Sequence, residues 1–432
     1  MIRKFCLLSL CLFSLCRLYA QDTLYYTSPD SIRIDSVTLY DEIGFLMYQA
    51  IDAGALPGAQ ILLAKDGAIF FNESYGFHTY DSLRPVRESD LYDLASITKV
   101  AATTLALMKL YDDGLLNLDL TLGHYFPFLS KSDKADITIR EALAHNGRLK
   151  SWIPFYKECL RSNGRYRRHT FSNVSKRSYP WRIPGSGIYM HKHFYEKKLL
   201  KMIRMSPLNE TEEYVYSGLS FYLFPELVKR LTDQTFEDYL TNNFYMPLGV
   251  SSIGFNPKLR GYKPDQIVPT EVDNFFRMDT LHGDVHDEGA AMMLGISGNA
   301  GLFGNAHDLA VIFQMLLNGG TYKGQRYLRE ETIREFTRCQ YCQERNRRGI
   351  GFDKPLIEYD PVKSSVARLA SPASFGHTGF TGTLVWADPE NGFLFIFLSN
   401  RVYPTRDNKL IYQLNIRPNI HDLVYELLMK DK

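Results

Sequence analysis

Strand-like apolar runs first appear just after Pro57 and Gly58. Two strand-like runs, 59–64 and 68–73, flank Lys65, Asp66 and Gly67, a combination that predicts a hairpin. From 94 to 114 apolar residues recur at helical spacing with no internal Gly or Pro, so a helix is expected there, with Ser96 near its beginning and Gly114 as its stop. Residues 219–243 read as one or two further amphipathic helices, and 307–318 as another. Near the C-terminus 383–387 and 392–399 are strand-like, joined by Asp388, Pro389, Glu390 and Asn391, and a last helix is expected within 420–429. Strands at both ends with helices between them predict an α+β fold whose sheet is closed by the two chain termini. The sequence carries no internal repeat.

Composition sets the compartment more than the fold. At 432 residues, 45% of them hydrophobic, the chain can bury a large core. Arg3 and Lys4 precede an apolar run over 5–16, the layout of a secretory signal, too short to span a bilayer comfortably. We therefore expect a signal peptide at 1–20 cleaved after Ala20, a polar lead-in at 21–40, and one domain at 41–430 that is exported, in the periplasm. A lipid anchor at Cys16 fits less well, because Leu15 precedes it where a small residue is expected. Loss of Arg3, Lys4 and Arg17 would leave 47 basic against 48 acidic residues, which gives no reason to expect nucleic acid as a partner. The mature chain keeps Cys159, Cys339 and Cys342, too few for a disulfide framework. Cys339-Gln-Tyr-Cys342 has redox-motif spacing but no preceding strand of a βαβ unit, so a structural or incidental pair is the preferred reading.

One stretch departs from this balance. Residues 148–204 hold 15 Lys and Arg against Glu158 and Glu196, interleaved with aromatic residues including Trp152 and Trp181. This reads as a basic insertion: either a solvated surface excursion or a contact for an anionic envelope polymer.

The chemistry concentrates in three short boxes. Ser96-Ile97-Thr98-Lys99 is the one S-x-x-K in the chain, and helical spacing puts the Lys99 side chain within reach of the Ser96 hydroxyl. A serine hydroxyl is a weak nucleophile until a neighbour takes its proton. Tyr216-Ser217-Gly218 opens a helical segment; a tyrosine, with an unperturbed pKa of about 10, becomes a usable base when cations such as Lys99 favour its anion. His377-Thr378-Gly379, followed by Phe380, precedes a strand, where small residues let a substrate backbone lie alongside and the Phe380 N–H can help hold an oxyanion.

In this order and spacing the three boxes resemble those of the serine β-lactamase and penicillin-binding protein superfamily, and the tyrosine box is most similar to class C β-lactamases and their esterase and peptidase relatives. HDEGAAMMLGISGNAGLFGNAHDLA and FGHTGFTGTLVWADPENGFLFIFLSNRVYP look like the β-lactamase-related domain of Bacteroidetes that is often fused behind a family 3 β-N-acetylglucosaminidase. The resemblance implies an antiparallel sheet covered by helices on both faces, a mostly helical subdomain, and a cleft between them. It implies Ser96 as nucleophile, Lys99 as proton partner, Tyr216 as general base and His377, Thr378, Gly379 and Phe380 as substrate-binding residues, with no cofactor and no metal. Two positions depart from the pattern: Gly218 stands where Asn or Asp is usual, and His377 where lysine is. A histidine binding substrate charge must be protonated, which leads us to expect a charged His377.

Other classes fit less well. Gly295-Ile296-Ser297-Gly298-Asn299 breaks the G-x-S-x-G elbow at its last position, which disfavours an α/β-hydrolase. His282, Asp284, His286, Asp287 and Glu288 could suggest a metal cluster, but Gly283 spoils the helical spacing of the two histidines. His145 reads as structural, near the cleft. The expected function is acyl-enzyme hydrolysis of an amide or ester, such as a D-Ala-containing cell-wall peptide or muropeptide. The alternative is a penicillin-binding-like module that captures cell-wall fragments without turnover.

Overall fold

The computed structural model describes residues 23–211 and 214–430, so the signal-like residues 1–20, with Cys6, Cys11 and Cys16, lie outside it. Six strands, β1 (Tyr25–Tyr26), β2 (Gly58–Lys65), β3 (Ala68–Gly76), β4 (Phe375–Thr378), β5 (Leu384–Asp388) and β6 (Phe393–Ser399), form one sheet in the order β1-β3-β2-β6-β5-β4. The expected β2–β3 hairpin turns on two residues rather than three. Asp66 and Gly67 take φ of 50° and 82°, the positive pair that a tight hairpin needs, and Lys65 stays in the ladder opposite Ala68.

Strand β6 pairs along its whole length with β2, from Ser399 opposite Ala59 to Phe393 opposite Lys65. The two ends of the chain thus meet in the middle of the sheet. All pairs are antiparallel except β1 with β3, a short parallel edge that the sequence reading did not include.

Alternation along the strands sorts side chains onto two faces. Ile61, Leu63, Leu384, Trp386, Phe395 and Phe397 pack with α1 (Ser36–Asp52) and α4 (Ile416–Met429). Leu62, Ala64, Val385, Ala387, Leu394 and Ile396 face the other way, toward α3 (Ala306–Leu317) and the segment Val100, Leu105 and Met108. Helix α1 starts inside the stretch read as a polar lead-in, where the Asp35 carboxylate accepts from the Thr38 N–H at 2.7 Å and caps it. Helix α4 starts at Ile416, earlier than expected; Pro418 sits in its first turn, where a missing N–H goes unneeded.

The helix expected over 94–114 is irregular. It runs as a 3-10 turn (Ala95–Ile97), a π-helix (Lys99–Thr104) and then α2 (Leu105–Asp112), before Gly114 at φ 72°. Tertiary bonds coincide with the widened turns: Tyr245 donates to the Ala101 carbonyl at 3.0 Å and Thr103 to the Gly298 carbonyl at 2.8 Å.

The helical side of the molecule includes Phe224–Thr232 and Phe236–Leu240, where one or two helices were expected. The basic insertion is tied into this side. It contains the three-stranded sheet of Phe171–Ser172, Trp181–Arg182 and Tyr189–Met190, and its Phe171, Ile183 and Phe194 are buried in the main core. Cys339 and Cys342 are joined in a disulfide, and Cys159 is a buried free thiol.

Candidate active site

Ser96 stands on a strained turn. Its neighbour Ala95 has φ 47°, a conformation that a residue with a Cβ adopts only when its surroundings enforce it. The enforcement is visible. The Asp93 carboxylate accepts from the Ala95 N–H at 2.8 Å and, through its other oxygen, from the His286 N–H at 2.7 Å. Thr381 donates to the Asp93 carbonyl at 2.8 Å, binding this turn to the loop after β4. Gly379 is required by the same approach, since a Cβ there would lie 2.0 Å from Thr383 Oγ1 and 2.8 Å from the Leu94 carbonyl.

Three of the residues singled out in the sequence converge on one atom. Half-buried Ser96 Oγ accepts from Lys99 Nζ at 3.0 Å and from the Tyr216 hydroxyl at 3.2 Å. Lys99 is only 2% exposed. Its second hydrogen bond goes to the Asn299 carbonyl at 2.9 Å, and its ammonium lies 5.4 Å from the ring centres of both Tyr216 and Phe221.

Tyr216 is carried by a segment stitched to its surroundings. The Ser217 N–H donates to His145 Nδ1 at 3.2 Å, Ser217 Oγ to the Lys150 carbonyl at 2.6 Å, and the Gly218 N–H to the Ser151 carbonyl at 3.2 Å. His145, with its ring centre 4.6 Å from that of Tyr216, thereby holds the tyrosine segment in place. At Gly218 an added Cβ would meet nothing nearer than Asn299 Cβ at 4.0 Å. The Asn299 amide turns away, accepting from Ser297 at 2.6 Å and donating to Tyr222 at 3.1 Å. Lys99 is therefore oriented by a backbone carbonyl, without an amide or carboxylate side chain at position 218.

His377 lies on β4 with its ring centre 5.8 Å from that of Tyr216, and it is buried. Its Nδ1 is 2.6 Å from the Thr378 carbonyl, which only accepts, so Nδ1 carries the hydrogen and Nε2 is an acceptor. Burial, reinforced by the positive charges of Arg348 and Lys99, pushes its pKa down to about 3. The expectation of a charged His377 is thus corrected: the imidazole is neutral in the ordinary working range. Thr378 is half-buried and Phe380 exposed, the latter's ring stacked 5.3 Å from that of His286.

The acidic and histidine cluster considered for metal is engaged in structural bonds. His286 pairs with Glu271 at 2.9 Å, Glu288 with Arg406 at 2.8 Å, Asp284 with Lys258, and Asp287 caps the short helix Glu288–Ala291.

Sequence reasoning missed Arg348 and Asn299. Arg348 is buried, donates from Nε to the Tyr214 hydroxyl at 2.9 Å and stacks 5.1 Å from the Tyr216 ring centre, but in the sequence it is one charge in a polar run. Asn299 acts through its main chain, which no residue pattern signals.

A serine bonded to a buried lysine and a tyrosine, beside the end strand of a helix-covered sheet, defines the class of active-site-serine hydrolases. The chain belongs to the β-lactamase family, whose profile matches residues 46–416. A protein of Escherichia coli (strain K12) named "Putative D-alanyl-D-alanine carboxypeptidase" is 31% identical over 373 residues, covering 82% of this chain and 80% of that one. The fold is shared with a penicillin-binding protein homologue from Caulobacter crescentus, at TM-score 0.62 and 18% identity over 90% of this chain and 97% of that one. It is also shared with a class C β-lactamase from Rhodobacter sphaeroides, at TM-score 0.60 and 16% identity over 90% and 99%.

The depressed histidine fixes a sign for pH effects. An unfolded histidine takes up a proton near its ordinary pKa of about 6.5, whereas folded His377 does so near 3, so its contribution to stability is full above about 6.5 and declines as pH falls toward 3. Urea midpoints should accordingly fall on acidification from about pH 6.5, less so in His377→Asn. For activity, the kcat/KM ratio of an anionic to a neutral ester should stay flat from about pH 5.5 to 8. A loss of anion preference through the ordinary histidine range would mean that His377 is charged after all.

Proposed function

We propose that Ser96 is the nucleophile of an acyl-enzyme hydrolysis, acting on a D-Ala-containing cell-wall peptide or muropeptide or on a related ester. The observation that carries this reading is the convergence of Lys99 and Tyr216 on Ser96 Oγ at 3.0 and 3.2 Å. The name borne by the Escherichia coli relative supports the choice of peptide. For the step Tyr216 acts as its phenolate, its own proton already given up to solvent: as Ser96 Oγ bonds to the substrate carbonyl carbon, the serine proton passes to the phenolate oxygen, with Lys99 as proton partner and electrostatic support. The carbonyl oxygen becomes an oxyanion, held by the N–H groups of Ser96 and Phe380. Collapse breaks the bond to the leaving amine or alcohol, which takes the proton, and water then releases the acyl group by the same route. His377, Thr378, Gly379 and Phe380 line the strand end along which substrate lies. His377 offers a neutral acceptor there, and Arg348 supplies the fixed positive charge.

Steady-state kinetics on a model ester and a D-Ala-D-Ala peptide test the assignment. Ser96→Ala should lose at least about 10³-fold in kcat and Tyr216→Phe about 10²–10⁴-fold, with melting temperatures near wild type. Full turnover in Ser96→Ala would refute it, and Ser96 acylation without turnover would favour the capture module instead.

The same reading includes export through residues 1–20 to the periplasm, with 41–430 acting as one hydrolase unit. A mature N-terminus at Gln21 is the expected sign of it. It also includes an anionic envelope polymer at the basic insertion. Among the described residues, none of the insertion's Lys or Arg side chains has a carboxylate within 4.0 Å, and Trp152 and Trp181 are each 47% exposed. Retention on immobilised heparin that weakens steeply with salt, and drops on reversing Arg165, Arg168, Lys197 and Lys201 to Glu, is expected. Salt-independent retention, or none, would leave the insertion a structural element only.

A further inference from the structure

The disulfide Cys339–Cys342 takes no part in the chemistry proposed above, yet its loop ends at the cation beside Tyr216. We propose that this disulfide is a positioning clamp for Arg348, so that its reduction lowers turnover at Ser96. The inference rests on the catalytic reading and adds to it a redox-sensitive support.

The loop leaves helix Glu330–Thr337 and returns on itself. The Gln340 N–H donates to the Arg348 carbonyl at 2.9 Å, and the Asn346 N–H to the Tyr341 carbonyl at 3.1 Å, so the two cysteines cross-link one limb of a narrow return whose other limb carries Arg348. Asn346, fully buried, anchors the return. Its amide donates to the Ala144 carbonyl at 2.9 Å and to Asn146 Oδ1 at 3.1 Å, and its own oxygen accepts from the Arg348 N–H at 3.0 Å. These contacts reach both neighbours of His145, the residue that holds the Ser217 N–H.

Arg348 closes the chain of contacts. Its guanidinium bonds Tyr214, lies 3.3 Å from the Asp353 carboxylate and stacks 5.1 Å from the Tyr216 ring centre, while its Nη1 is buried without a hydrogen-bond partner among the described residues. Charge on a phenol oxygen is sensitive to a cation at this range, and more so in a buried site than in water. A loop freed of its cross-link gains conformations in which Arg348 follows Asp353 or solvent and leaves Tyr216.

The bond is within reach of a reductant. Cys342 is exposed, and both cysteines line a cavity of about 860 Å³ that Arg334, Arg338 and Arg347 also border. In the step itself, one thiolate of a small dithiol attacks a cysteine sulfur and the Cys339–Cys342 bond breaks. The mixed disulfide is resolved by the second thiol, leaving a cyclic oxidised dithiol and two cysteine thiols that keep its two protons. Cys159, buried and with its thiol pushed up to about 12 by burial, stays out of the exchange.

The test treats the folded, oxidised protein with dithiothreitol, counts released thiols by alkylation and mass spectrometry, and follows neutral-ester hydrolysis. Release of two thiols should lower kcat/KM about tenfold, and reoxidation should restore it. Cys339→Ser/Cys342→Ser should match the reduced protein. The diagnostic readout is non-additivity: in Arg348→Ala, already slow, reduction should do nothing further, whereas Arg348→Lys should keep part of the sensitivity. Unchanged turnover after two thiols are counted would overturn the clamp alone. So would a loss on reduction equally large in Arg348→Ala. If the oxidised wild type shows no Ser96-dependent turnover, the catalytic reading falls and the clamp with it.

Discussion

A buried cation is the constraint on which the site depends. Lys99 is 2% exposed and, among the described residues, has no carboxylate to pair with. A charge held away from water must be met by oriented dipoles. Here they are Ser96 Oγ, the Asn299 carbonyl and the faces of Tyr216 and Phe221. Ser96 comes from the lysine's own turn, Tyr216 and Phe221 from a second segment and Asn299 from a third, so the lysine can be satisfied only when those three parts are folded together. The ammonium that serves the chemistry is thereby one of the reasons the cleft has a single arrangement.

The sheet makes that arrangement possible. Pairing of β6 with β2 brings the C-terminal strands beside the N-terminal hairpin, and the loop after β4 is then bonded to the Ser96 turn through Thr381 and Thr383. The strained φ of Ala95 is tolerable because the Asp93 carboxylate and those threonines define the turn from both sides. Stability of the sheet and geometry of the nucleophile are consequently hard to separate, and substitutions at Asp93 or Thr381 act on both.

Features set by local chemistry were legible in the sequence. Lys65, Asp66 and Gly67 announced the hairpin, the apolar runs 59–64 and 392–399 announced strands near both ends of the chain, and the S-x-x-K spacing placed Lys99 on Ser96. What was missed depends on distant contacts. The widened turns at Lys99–Thr104 accompany bonds from Tyr245 and to Gly298, which no local propensity encodes. The charge state of His377 follows from burial and from Arg348, neither visible from the residue itself. Gly218 looked like a defect because an orienting side chain is missing there, yet the Asn299 carbonyl orients Lys99. Arg348 stayed hidden because a surface-like run of charge gives no sign that one member turns inward.

Mapping a covalent adduct tests the central claim most directly. The protein is incubated with a fluorophosphonate or a fluorescent penicillin, digested, and the modified residue located by tandem mass spectrometry. This account predicts a single adduct on Ser96, formed by wild type and lost in Ser96→Ala. An adduct at another residue, or one that persists undiminished in Ser96→Ala, would contradict it.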